Sequence, residues 1–206
     1  MINEQRTGPI PSVDGSINAA RADRSGAAVV TQAHGKYAEA SVRKNLFFSY
    51  CAARATSAPA TSQIGNIVWN PPGSGVNLSM LLWTAQVQVT SATTLGVTIG
   101  YSAQATTPTT ATVADASGSC YLDAASPSSG KAKAYAIGTI GVAPTPVMNL
   151  FHNTAAIAIT GVDQLGGDLD GLFTVPPGYV VALSAITAAV AASGMTSTLT
   201  WEEIPV

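Results

Sequence analysis

From Leu46 onward the hydrophobic positions recur with a period of two, and no segment holds the 3.6-residue spacing of a long amphipathic helix. Leu46-Phe47-Phe48-Ser49-Tyr50-Cys51 is a compact apolar segment. Ile67-Val68-Trp69 runs into the turn signal Asn70-Pro71-Pro72-Gly73-Ser74-Gly75. The longest expected strand covers 77–90. Leu78, Met80 and Leu82 share one parity there, and Leu81, Trp83, Ala85, Val87 and Val89 the other. A strand apolar on both faces at first and alternating later predicts passage from a buried centre to an edge. Leu95, Val97, Ile99 and Tyr101 alternate again. Further strands are expected over 134–140, 147–151, 171–175, 179–185 and 196–202. In the last of these, Thr198, Thr200 and Glu202 face one way and Leu199 and Trp201 the other.

About eight strands separated by Gly/Pro turns predict an all-β antiparallel β-sandwich, jelly-roll-like, whose strand order the periodicity leaves open. Residues 103–133, rich in Thr, Ala, Ser, Pro and Gly, read as loop with a short strand at Cys120-Tyr121-Leu122. Before Asn45 the periodicity stops. Thr7-Gly8-Pro9-Ile10-Pro11 favours extended backbone, and this stretch offers too little apolar area to offset chain entropy by itself. The expected organisation is an extended N-terminal arm over 1–44, lying along a neighbouring subunit, and a β-sandwich body over 45–206.

Composition shifts the reading toward an assembly. Hydrophobic residues make up 47% of the chain but charged residues only 10%, against about 25% in a typical soluble domain. A surface so poor in charge is expected to be covered by neighbours. The charge is also divided. Up to Arg54 there are seven basic and four acidic residues, net +3; beyond it there are two basic and seven acidic, net −5. Basic residues scattered along an arm, beside an acidic body, do not make a phosphate groove, so no nucleic-acid partner is expected. No apolar run reaches the roughly 18 residues of a membrane span, and the residues after Met1 carry no secretory pattern. Assembly in a cytoplasm is the expectation.

Catalytic chemistry finds few residues to use. Of the histidines, His34 lies in the arm, and His152 with Asp163 and a serine gives at most a cryptic triad. Ser74, in Gly73-Ser74-Gly75, lacks the strand-to-helix context of a nucleophile elbow, and the same glycines lack the Lys-Ser/Thr of a phosphate loop. Asp163, Asp168 and Asp170 form the densest acidic group and read as a solvated loop, since their spacing does not match a calcium loop. Glu202 and Glu203, as strand neighbours, point to opposite faces, and Glu203 is expected to pair with a basic residue of a neighbour. Cys51 and Cys120 form no metal-ligand spacing and read as small buried hydrophobes, with a disulfide not expected. Trp69, Trp83 and Trp201 read as core rather than as sugar-stacking platforms. No enzyme activity, cofactor or metal site is expected.

Three stretches carry a resemblance. Asp23-Arg24-Ser25-Gly26-Ala27, Gln32-Ala33-His34-Gly35-Lys36-Tyr37-Ala38-Glu39-Ala40 and Arg43-Lys44-Asn45-Leu46-Phe47 form the first. Trp69-Asn70-Pro71-Pro72-Gly73-Ser74-Gly75-Val76-Asn77-Leu78 is the second. Val175-Pro176-Pro177-Gly178 with Thr200-Trp201-Glu202-Glu203-Ile204-Pro205 is the third. Together they resemble small virion structural proteins of tailed bacteriophages, of the head decoration or cement type. The resemblance implies a particle component. The expected role is a cement protein that binds the major capsid protein lattice and neighbouring copies of itself, as a homotrimer. The expected attachment residues are Arg21, Arg24, Lys36, Tyr37, Arg43 and Lys44, chosen for arm location and reach. A tail, baseplate or fibre-attachment component is the alternative within this class, and a carbohydrate-binding β-sandwich module the alternative outside it.

Overall fold

A computed structural model describes residues 37, 40, 45–88, 96–114, 116–120, 130–152, 163–186 and 194–206. The chain divides into two units, Met1–Ala38 and Glu39–Val206. Of the first only Tyr37 is described, so the extended arm expected over 1–44 lies almost wholly outside the described residues.

The second unit is built from strands: β1 (Leu46–Ala55), β2 (Ser62–Asn70), β3 (Val76–Gln88), β4 (Gly96–Ala103), β5 (Thr109–Val113), β6 (Ala116–Cys120), β7 (Lys133–Thr139), β8 (Thr145–His152), β9 (Asp163–Val175), β10 (Tyr179–Ala185) and β11 (Gly194–Pro205). They form two packed antiparallel sheets, a β-sandwich. One sheet has the order β6-β1-β11-β3-β9 and the other β5-β7-β2-β10-β4-β8. The pairings are nested: β1 with β11, β2 with β10, β3 with β9 and β4 with β8. β5, β6 and β7 intervene between the innermost pair and extend the two sheets past β2 and β1.

Among the described residues there are eleven strands against the roughly eight expected, and β5 and most of β6 fall in the stretch read as loop. β5, Thr-Thr-Ala-Thr-Val, is exposed at every position, so it has no buried face to print an apolar alternation on the sequence. The acidic stretch read as loop is likewise strand: Asp163, Asp168 and Asp170 lie in β9, and Asp168 and Asp170 are exposed.

The main core fills the space between the sheets with Leu78, Met80, Trp83, Ile99, Leu183, Leu199 and Trp201 among others, each under a tenth exposed. β3 shows why its apolar residues change parity. Against β11, Trp201 pairs with Met80 and Thr200 with Leu82, leaving Leu81 as an extra residue. A β-bulge of this kind turns the following side chains to the other face. Leu78 and Met80 before it, and Leu81, Trp83 and Ala85 after it, are therefore all buried. On β11 Leu199 and Trp201 share the core face as expected, and Thr200, on the opposite parity, is buried as well.

The outer face of the second sheet has a small core of its own. Ile67 and Trp69 of β2 alternate with Val68, and Val180 and Ala182 of β10 with Val181. They cluster with Tyr135 and Ile140, while Val68 and Val181 join the main core. The β4–β5 connection covers this face at Gln104. Its backbone carbonyl accepts from Trp69 Nε1 (2.9 Å) and its Oε1 from the Gly141 amide (2.7 Å). Burial on both faces explains why these strands read as unbroken apolar runs.

Two asparagines of β2 tie the sheets together. Asn66 accepts from Ser49 Oγ (2.7 Å) and donates to the carbonyls of Ser49 and Ser197 in the opposite sheet (both 3.3 Å). Asn70 Nδ2 donates to the carbonyls of Val76 (2.8 Å) and Val175 (3.0 Å). The Asn70 carbonyl accepts from the Gly178 amide. The two proline-containing reversals, 71–75 and 176–178, are thus fixed at one end of the sandwich.

Candidate interaction surface

At that end an apolar groove of about 560 Å³ opens between β9 and the inner face of the second sheet. Its floor is Ile99 and Val181, both buried. Tyr101 shares Ile99's parity on β4, and Tyr179 shares Val181's on β10. Tyr101 pairs with Val181 in register, which makes Tyr179 its diagonal neighbour on the same face. The two rings lie 6.5 Å apart, tilted by 55°. Val147, from β8, and Pro176 complete this side.

The opposite wall comes from a wide bulge in β9. Across from β3, Met80 pairs with Phe173 and Leu82 with Asp168, so one residue of β3 faces four of β9. Asp170 and Gly171 carry the extra length with φ of 49° and 76°, the left-handed region that relieves the turn. The bulge buries Leu169 and throws Leu172 out to 72% exposure. With Tyr101 at 46% and Val147 at 40%, three of the eight exposed large hydrophobics of the described surface meet at one groove. Among the described residues no charged side chain lines it. Such a surface accepts an apolar, extended segment or a ring-shaped ligand, with two phenols as the polar contacts.

The residues singled out from the sequence fall elsewhere. Arg21, Arg24, Lys36, Arg43 and Lys44 lie outside the described residues. Tyr37 is half-buried, in a turn. The three tryptophans are buried at 6% or less, as expected, and none forms a platform. Ser74 is spent on its own turn, with its hydroxyl between the carbonyl and amide of Val76. His152 closes β8 in one sheet and Asp163 opens β9 in the other. Among the described residues no group of three or more His, Cys, Asp or Glu could hold a metal ion. Cys51 is buried, and its thiol donates to the carbonyls of Gly65 (3.9 Å) and Tyr135 (4.0 Å). Cys120 pairs in register with Phe47, four residues along the strand from Cys51 and so about 13 Å away, beyond the ~7 Å a disulfide spans.

Glu203 corrects an expectation. It does not reach out to a basic residue of a neighbour. It is 6% exposed, and its two carboxylate oxygens accept from the amides of Lys131 and Ala132, each at 2.9 Å. Gly130 makes the approach feasible, since a Cβ there would lie 2.5 Å from Glu203 Oε1.

The groove escaped sequence reading because its walls come from four strands far apart in the chain. Only the alternation of Val97, Ile99 and Tyr101 hinted at it, by placing an exposed tyrosine on a core face. No protein-family model, curated protein or solved structure matches the chain.

Proposed function

We propose that this protein is a structural component of a tailed-bacteriophage particle, acting as a capsid decoration or cement protein that binds the major capsid protein lattice and neighbouring copies of itself. The observation that carries the reading is the nested strand order. Pairing β1 with β11, β2 with β10, β3 with β9 and β4 with β8 is how a long folded hairpin rolls into an eight-stranded jelly roll, with β5–β7 as an insertion. Double-sheet jelly rolls serve viral capsids. The 10% charge content and the uncharged groove support a subunit whose surface is covered in an assembly. The resemblance of the arm and turn motifs to virion proteins points the same way. A homotrimer fits a cement lattice, and an arm carrying Arg21, Arg24, Lys36, Tyr37, Arg43 and Lys44 would add long-reach contacts. Ordering such an arm costs free energy that many copies on one lattice offset.

Copy number per purified particle, measured by quantitative mass spectrometry against the major capsid protein, tests this. A ratio between one to one and one to a few is the expected result. A few copies per particle would move the protein to the tail, baseplate or a fibre attachment. Absence from particles would sink the virion reading.

One observation favours a second reading. Jelly rolls also serve lectins, and exposed Tyr101 with half-buried Tyr179 beside it could stack on a sugar ring. That reading requires glycan binding by the purified chain that Tyr101→Ser abolishes.

A further inference from the structure

We propose that the groove receives the proline segment Thr7-Gly8-Pro9-Ile10-Pro11 of a second copy of this chain. The proposal rests on the reading of the protein as a self-assembling particle component, and it names the contact between copies.

The groove's chemistry selects such a segment. Extended proline-containing chains make no internal hydrogen bonds, and they dock in aromatic-lined grooves where ring faces pack on pyrrolidine rings. Tyr101 and Tyr179, tilted and 6.5 Å apart, supply two such faces, and Pro176, Val147 and Leu172 extend the apolar lining. The phenol hydroxyls are donors of the kind that the unpaired carbonyls of such a segment require. The segment is uncharged and carries one large apolar side chain, Ile10, between its prolines. An uncharged lining desolvates no ion against it. Each proline already holds φ near −65°, so docking loses little chain entropy.

Reach and charge allow the donor to be a neighbour, as the self-assembling reading requires. Twenty-five residues separate Pro11 from Tyr37, a length of chain that can reach up to about 85 Å at ~3.3 Å per residue. A body of this size has a radius of gyration of about 15 Å, so the segment can cross to an adjacent subunit. The net +3 of residues 1–54 and the net −5 of the remainder favour contact between the basic end of one copy and the body of another.

The test uses full-length chains in sedimentation velocity. Wild type is expected to self-associate. Ile10→Asp, which spoils the segment, and Leu172→Asp, which spoils the groove, should each weaken association at least tenfold. Leu172 is 72% exposed, so its variant should unfold at the wild-type urea midpoint. The decisive sample is an equimolar mixture of the two variants. It should associate where neither does alone, because one chain retains a sound groove and the other a sound segment. A mixture as monomeric as its components would overturn the proposal. So would variants that associate like wild type, or a monomeric wild type, as expected if each groove were filled from its own chain. The virion reading is judged separately by copy number: an abundant particle protein whose variants fail to complement retains that reading and loses this docking.

Discussion

Single side chains hold this sandwich together where its loops would otherwise be free. Glu203 is the clearest case: a buried carboxylate anchoring the Gly130–Ala132 backbone beside β11, with both oxygens satisfied by amides. Charge-assisted bonds to backbone donors are stronger than neutral ones, and Gly130 lets them form at close range. In Glu202-Glu203 the buried member continues the inward parity of Leu199 and Trp201; what the sequence does not show is that backbone amides, rather than a basic side chain, satisfy it. Tyr135 is a second buried titratable group, on the outer core of the second sheet. Burial pushes its phenol above the ordinary value of 10.0 by penalising the phenolate. The unfolded chain therefore releases this proton first as pH rises, so the unfolded state binds fewer protons there and stability falls. The contribution is intact below pH 10.0 and is lost above it, as pH climbs toward the raised folded value. Urea titrations at rising alkaline pH should show a loss of stability in wild type that is smaller in Tyr135→Phe. Identical pH profiles would contradict this.

At the scale of elements, bulges decide what the sequence could and could not reveal. The strands of the main core were legible, since burying one face imposes alternation, as in Val97, Ile99 and Tyr101. β2 and β10 were legible as apolar runs, and their turns as Pro-Gly clusters. The two-sided apolar pattern of 77–90 was visible, but its cause was a bulge at Leu81 rather than passage to an edge. The end of β9, 171–175, was legible, but its first part was misread because its glycines and aspartates resemble a loop; the strand tolerates them because Asp168 and Asp170 face solvent and Gly171 sits at the bulge. The groove depends on that bulge, so Gly171 is where element and surface meet. A Cβ at Gly171 would lie 2.8 Å from Ser79 Oγ, at a φ of +76° that side chains rarely adopt. Gly171→Ala should cost about 1–2 kcal/mol through backbone strain, read as a lower urea midpoint with an unchanged slope. A midpoint equal to wild type would show that the bulge relaxes freely.

At the scale of the molecule, the nested order makes folding depend on β11. β11 lies in the middle of its sheet, between β1 and β3, and pairs Leu46 with Glu202 at one margin. The outermost pair of the nest joins the residues most distant in sequence, so loop-closure entropy opposes it most. It also supplies Met195, Leu199 and Trp201 to the core. Without β11 the first sheet would break into separate β6-β1 and β3-β9 pairs, each exposing an apolar face, and isolated pairs of strands are marginal in water. A chain ending at Ser193 should therefore lack a cooperative urea transition, although it retains ten of the eleven strands. The intact chain, dominated by non-local pairing, should refold on the millisecond-to-second scale usual for sandwiches or more slowly. A cooperative transition in the truncated chain would mean that the inner pairs, β2 with β10 and β4 with β8, form a self-sufficient core and that β11 merely closes it. Its absence would make β11 the step that commits the whole sandwich, so that groove and outer core appear only once β11 is in place.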